Sequence, residues 1–225
     1  MTSPVIVAID GPSGAGKSTA ARLLAQRLKV PYIDTGAMYR AAGLAVREAG
    51  IALPIADPAS VERIAGSLHV SLEPQAGGAR VLLDGRDVTE AIREPEISRY
   101  ASAVSALSAV RRRMVAEQRR LARQRGGVIE GRDIGTVVFP ETPHKFFLTA
   151  SSRVRAERRV RELEERGHPQ SFERVLAEME ARDSSDQTRA DSPLKSDDTY
   201  VVIDSSDRDV DAVVAEMERR VRAAG

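Results

Sequence analysis

The sequence predicts an α/β fold, an open parallel sheet flanked by helices, and three observations predict it. Five short runs rich in β-branched residues (PVIVAID, VPYI, GGVIEG, KFFLTA and TYVVID) are separated by stretches of helical period. The last three do not alternate polar and apolar positions, as strands buried on both faces do not. A Gly-rich turn joins the first run to the first helical stretch.

In chain order, Pro4 to Asp10 is a strand, and KSTAARLLAQRLK is a helix with Ala21, Leu24, Ala25 and Leu28 on one face. VPYI is a second strand that leads into DTGAMYRAAGLAVREAG, apolar at Met38, Ala42, Ala45 and Val46, with Gly50 placed to end the helix. The segment LHVSLEPQAGGARVLLDGRDVT (68–89) breaks the rhythm. Two strand-like runs flank Pro74 and Gly77-Gly78, which predicts an antiparallel hairpin inserted into the α/β pattern. Residues 102–125 read as a helical stretch carrying seven Arg (111, 112, 113, 119, 120, 123 and 125) against Glu117 alone. No aromatic residues interleave with them to stack bases, so this reads as a solvated face and no nucleic-acid partner is expected. Strands at 126–131, 145–150 and 199–204 follow, with helices in SSRVRAERRVRELEER, SFERVLAEMEAR and DVDAVVAEMERRVR.

Composition narrows the function classes. At 225 residues, 42% apolar and 30% charged, the chain suits one domain (1–225) of ordinary size. Lys plus Arg (34) nearly balances Asp plus Glu (33), so no global field selects polyanionic or basic partners. The absence of Cys excludes disulfides, thiol catalysis and Cys-ligated metal, and three scattered His do not suggest a zinc site. The N-terminal residues lack a signal-peptide pattern and no apolar run is long enough to span a bilayer, so a cytoplasmic protein with no membrane partner is expected.

Gly11-Pro12-Ser13-Gly14-Ala15-Gly16-Lys17-Ser18 fits G-x-x-x-x-G-K-[ST] between a strand and a helix, the context this phosphate loop requires. Its glycines let backbone N–H groups turn toward phosphate oxygens at the positive end of the helix. Lys17 reaches the β- and γ-phosphates, the Ser18 hydroxyl ligates Mg²⁺, and Thr19 follows on the nucleotide side. ATP binding is therefore expected. A guanine-nucleotide switch reads its base with Asn-Lys-x-Asp, and this chain contains no Asn.

IDGPSGAGKST, DTGAMYRA, EGRDIGTVVFP and ARDSSDQTRADSPLK, in this order and spacing, resemble bacterial cytidylate kinases, nucleoside monophosphate kinases of the P-loop class, nearly end to end. The resemblance implies a P-loop kinase core, an inserted monophosphate-binding subdomain at 57–100 containing the hairpin, and a helical lid with the following substrate-binding helix at 151–190. It implies transfer of the ATP γ-phosphoryl group to CMP, and dCMP, by a monomer. Arg132, Arg40 and Arg189 would hold the acceptor phosphate, and Asp133 would accept from the cytosine amino group. Ser102 and Arg111 would contact the same base, Arg182 and Asp186 the ribose, and Thr35 and Tyr39 belong to the same CMP-binding motif. Arg158 matches the lid arginine that meets ATP, and with Lys17 and Arg132 it completes the implied catalytic set. Three positions depart mildly from the family pattern: Thr35 where Ser is common, Ser18 where Gly or Ser occurs, and Glu130 where Asp often precedes Gly-Arg-Asp.

The charges of VIEGRDIGT thereby acquire a reason: Arg132 and Asp133 meet two ends of one ligand at the carboxyl end of a strand. The acceptor is itself a phosphate dianion, so no general base is needed. Two alternatives remain open at this stage. One is a P-loop protein acting on RNA or a protein partner through the basic stretch; the other is a kinase for another small acceptor such as shikimate or UMP.

Overall fold

The structure, a computed structural model, describes residues 4–75, 78–123 and 125–223. Its elements are β1 (Ile6–Asp10), α1 (Lys17–Leu28), β2 (Tyr32–Asp34), α2 (Thr35–Glu48), α3 (Pro58–Ser67), β3 (Val70–Gln75), β4 (Gly78–Leu83), β5 (Arg86–Asp87), α4 (Pro95–Ser105), α5 (Ser108–Arg123), β6 (Gly127–Gly131), β7 (His144–Thr149), α6 (Ser152–Glu165), α7 (Phe172–Thr188), β8 (Val201–Asp204) and α8 (Val210–Ala223). The α/β class stands as the strand–helix alternation predicts. The main sheet has the order β2-β6-β1-β7-β8, and β3-β4-β5 form a second sheet. β1 runs parallel to β7, with Val7 opposite His144, and β7 parallel to β8, with Phe146 opposite Val201. No helix among the described residues is long and apolar enough to cross a membrane. The chain divides into two compact units, Met1–Val5 with Val30–Gly127 and Ile6–Lys29 with Val128–Gly225.

In the first unit, the Asp34 carboxylate accepts from Ala37 N–H (2.9 Å) and caps α2. Gly50 ends the helix at φ +78°, with Gly50 N–H on the Arg47 carbonyl and Ile51 N–H on that of Val46, a paired arrangement that satisfies two of the last carbonyls. The core gathers Met38, Leu44, Ile97, Val104 and Met114. β3 and β4 pair antiparallel with Val70 opposite Leu83, which is the expected hairpin, although Pro74 lies within β3 opposite Ala79 and not in the turn. β3 is an edge strand, where a residue without N–H is tolerated. Gly77 lies outside the described residues, and β5 is an addition that the short Arg86-Asp87 pair did not signal.

The stretch read as helical from 102 onward holds two helices among its described residues, not one. α4 ends at Ser105 and α5 begins at Ser108, with neither Gly nor Pro at the break. The interruption is stabilised by tertiary contact: Arg111 Nη1 donates to the Ser105 carbonyl (3.2 Å), one of the orphan carbonyls at the end of α4.

In the second unit, Ile9, Leu24, Phe146, Leu148, Ile203 and Met217 are fully buried about the sheet. A smaller cluster of Ala156, Leu163, Val175 and Met179 holds α6 against α7.

Gly43 sets how closely α2 approaches α4, because a Cβ there would stand 2.8 Å from Ala101 N and 3.0 Å from Tyr100 Cβ. Gly43→Ala should therefore lower stability by about 1–3 kcal/mol in urea unfolding, the overpacking outweighing a gain of about 1 kcal/mol in helix propensity. Unchanged or higher stability would contradict this close approach.

Candidate active site

β1 ends at Asp10 and the phosphate loop begins at once. Gly11 adopts φ +146°, and a Cβ there would lie 2.0 Å from the Leu148 carbonyl oxygen, so only glycine fits. Gly16, at φ +86°, caps α1, whose first residue is Lys17, with Ser18 and Thr19 exposed in its first turn. Unsatisfied N–H groups and the positive end of the helix therefore converge here. Lys17 is buried, and its Nζ donates to the Pro12 carbonyl (2.7 Å). Burial, together with the positive charges of Arg132 and Arg182, pulls its pKa down to about 7 against the opposing pull of Glu130 and Asp10. Burial and the surrounding arginines thus disfavour the charged form of Lys17, which a neighbouring anion would favour.

The Arg132-Asp133 turn follows β6 and is fixed from beneath. The fully buried Asp10 carboxylate accepts from Ile134 N–H (2.9 Å), Gly135 N–H (2.9 Å) and the Tyr200 hydroxyl (2.7 Å). Burial pushes the Asp10 carboxyl up to about 6, although these three donors favour its ionised form. Residues 134–138 then close one π turn, with Val138 N–H on the Asp133 carbonyl and Phe139 N–H on that of Ile134. Arg132 Nε donates to Asp186 Oδ2 (2.9 Å) and Arg189 Nη1 to Asp186 Oδ1 (3.4 Å). Burial works against ionisation of Asp186, but Arg132, Arg182 and Arg189 together outweigh it and hold the carboxyl below its ordinary range. Arg132, Arg182, Asp186 and Arg189 thus form one electrostatic cluster in the field of Lys17.

The four arginines that open α6 have separate fates. Arg153 pairs with Glu157 (3.0 Å) and Arg159 with Glu162 (2.8 Å) on the helix surface. Arg158 turns toward the phosphate loop and donates to the Gly14 carbonyl (3.5 Å), the Ser205 hydroxyl (3.1 Å) and the Ser205 carbonyl (2.6 Å). Arg155 is buried and also reaches the loop, through the Ser13 carbonyl (3.1 Å).

The remaining motif residues lie in the first unit. Arg40 pairs with Asp34 (3.0 Å) at the start of α2, where Thr35 is buried. The Arg111 guanidinium lies 5.7 Å from the centre of the Tyr39 ring, a cation–π contact. Ser102, in α4, accepts through its carbonyl from the Ser105 hydroxyl (2.8 Å).

Sequence reasoning missed Asp10, Tyr200, Asp183 and Ser205, and held Arg155 only as one of four arginines at the start of the lid helix, with no contact assigned. Asp10 had a signal, a carboxylate ending an otherwise apolar buried strand, which must find donors. The partners of the others are far away in the chain and carry no local signature.

The sequence matches the cytidylate kinase family over residues 7–223. A cytidylate kinase of Syntrophotalea carbinolica is 46% identical over 96% of this chain and 92% of its own length, and one of Rhodococcus opacus is 48% identical over 96% and 94%. The crystal structure of an uncharacterized protein from Eubacterium ventriosum shares the fold at a TM-score of 0.53 and 15% identity, covering 97% of this chain and 99% of that one. A phosphate loop on β1, a Gly-Arg-Asp turn after β6 and matches at this identity across nearly the whole length lead to one assignment: the chain belongs to the cytidylate kinase family.

Proposed function

We propose that this protein transfers the γ-phosphoryl group of ATP to CMP, and to dCMP, giving ADP and the corresponding diphosphate, as a cytoplasmic monomer in pyrimidine nucleotide metabolism. The observation that carries the reading is the cluster of Arg132, Arg182 and Arg189 about Asp186, electrostatically joined to Lys17 of the phosphate loop. Two polyanions must be brought in line for this reaction, and their mutual repulsion is the main barrier to be offset. Lys17 and the loop N–H groups take the donor phosphates. Arg132 and Arg189 hold the acceptor phosphate, Arg182 and Asp186 orient its ribose, and Asp133 accepts from the cytosine amino group. Thr35, Tyr39, Arg40, Ser102 and Arg111 are assigned to the same nucleotide on the strength of their sequence motifs. Arg158, already turned to the Gly14 carbonyl, meets the donor nucleotide.

Mg²⁺ would accompany ATP. The exposed Ser18 hydroxyl in the first turn of α1 is a hard oxygen donor that fits it. Bound there, it would neutralise charge on the phosphates. The acceptor phosphate is largely dianionic at neutral pH and is itself the nucleophile, so the chain needs to position groups and exclude water more than move protons. A protein that used ATP to act on RNA or a protein partner would have no use for the Arg132–Asp186–Arg189 cluster. Measuring ADP release with CMP, dCMP, UMP, AMP, GMP and shikimate tests the reading directly, and absence of turnover with CMP and dCMP would overturn it.

Lys17 provides a second test. Because burial and the neighbouring arginines pull its pKa down to about 7, it is largely neutral above that pH, and a bound triphosphate should restore its proton. Calorimetry at about pH 8 in buffers of different ionisation enthalpy should show MgATP binding take up close to one proton, the uptake shrinking as pH falls below about 7. Lys17→Met should abolish the uptake and lower turnover about 10²-fold or more. Equal uptake in both proteins would contradict the assignment.

Base choice tests Asp133. Cytosine offers a donor at its 4-position where uracil offers an acceptor, and a buried polar group left facing a like partner costs about 1–3 kcal/mol, more if charged. CMP should therefore exceed UMP in kcat/KM by about 10²-fold, and Asp133→Ala should shrink that ratio mainly by impairing CMP. An unchanged ratio in Asp133→Ala would remove Asp133 from base recognition.

A further inference from the structure

Arg155 belongs to neither substrate in the assignments above, yet it is among the most buried charges in the protein, with 6% of its side chain exposed. Its guanidinium makes four hydrogen bonds to three segments. Nε donates to the Ala150 carbonyl (3.0 Å) and Nη2 to the Ser152 hydroxyl (3.1 Å), which fix it at the start of α6. Nη1 donates both to the Ser13 carbonyl of the phosphate loop (3.1 Å) and to Asp183 Oδ2 of α7 (2.6 Å). The contact is close on both sides: a Cβ at Gly14 would stand 3.0 Å from Arg155 Cβ and 2.9 Å from Met179 Cε of α7.

Two physical consequences follow. A carbonyl of the loop that is engaged by Arg155 cannot rotate toward the phosphates, where its oxygen would repel them, so Arg155 helps keep the loop's N–H groups directed at the nucleotide. Asp183 stands beside Arg182 and one helical turn before Asp186, so the position of the Asp183 carboxylate sets where those two side chains project. Burying a pair this deeply adds little to net stability, which turns attention to geometry as its use.

We propose that Arg155 and Asp183 are positioning residues, a latch that locks the phosphate loop to helix α7 and so holds the donor loop and the acceptor-binding side chains in mutual register. Neither residue touches substrate in this scheme. The acceptor half of the proposal rests on the CMP kinase reading; the loop half does not.

The test compares Arg155→Met, Asp183→Asn and the double variant in the full-length protein, below the unfolding temperature of each. Asp183→Asn is nearly isosteric, and Asp183 Oδ1 has no hydrogen-bond donor among the described residues, so an amide nitrogen there meets no competing N–H, and circular dichroism checks that each variant is folded. Asp183→Asn should raise KM for CMP about tenfold while KM for ATP stays within about twofold, since it turns the ion pair into a weaker neutral hydrogen bond, loosens α7 and leaves the bond to Ser13 in place. Arg155→Met should raise both by about tenfold, and the double variant should impair CMP no further than Arg155→Met, because both changes break one interaction. Direct titration with a non-hydrolysable ATP analogue reads the loop half separately: weaker binding in Arg155→Met supports it even if CMP proves not to be the acceptor. A role confined to stability predicts instead lowered unfolding temperatures with unchanged KM for both substrates and unchanged analogue affinity. That result, or equal impairment of ATP and CMP by Asp183→Asn, would overturn the proposal.

Discussion

One buried carboxylate organises the chemistry of the second unit. Asp10 sits at the carboxyl end of β1 with no exposure, and it spends both oxygens on the backbone N–H groups of Ile134 and Gly135 and on the Tyr200 hydroxyl. The strand that launches the phosphate loop is thereby fastened to the turn that carries Arg132 and Asp133, and both are fastened to the residue that precedes β8. Gly135 makes the fit possible, since a Cβ there would lie 2.5 Å from the Tyr200 oxygen. The ring of Tyr200 is held in turn, edge to face with Phe147 at 6.2 Å. A buried charge is costly, and here three directed hydrogen bonds that a neutral isostere could not all accept offset part of that cost.

Above that anchor the site is electrostatically unbalanced, as suits a protein that waits for anions. Lys17 is buried in the field of Arg132 and Arg182, and burial first, with those charges beside it, holds its pKa down. Asp186 relieves part of the repulsion by pairing with Arg132 and Arg189, and Asp183 does the same for Arg155. Each acid thus serves as a counter-ion and also fixes the direction of the arginine it holds.

Much of this was legible in the sequence, for physical reasons that particular residues illustrate. β1, the phosphate loop and α1 could be read because Gly11, Gly14 and Gly16 stand where the backbone must take positive φ, and because Lys17 opens a helix of clear period. The hairpin was visible in its β-branched runs, but Pro74 and the Gly pair were read as lying between its strands, whereas Pro74 lies in β3 and Gly78 in β4. The break between α4 and α5 could not be read, because Ala106 and Leu107 are good helix formers and Arg111 reaches back to satisfy the Ser105 carbonyl. The candidate site divides the same way. Motif residues announced themselves by spacing, whereas Asp10, Tyr200, Arg155 and Asp183 owe their roles to partners up to 190 positions distant, a separation at which no local pattern survives.

The anchoring role of Asp10 has a thermodynamic signature. Its carboxyl titrates near 6 in the folded protein against an ordinary value of 3.8. The folded state therefore holds this proton more tightly than the unfolded chain, so the stability it contributes is fully present below about pH 4 and is lost as pH rises through about 6. Urea unfolding of the wild type and of Asp10→Asn, followed from about pH 4.5 to about 7.5, isolates that contribution: wild-type stability minus variant stability should fall by about 2 kcal/mol across the range, because the variant has no proton to lose. A difference that stays constant with pH would contradict the account of Asp10 as a carboxylate whose burial outweighs the three donors that hold the Arg132-Asp133 turn.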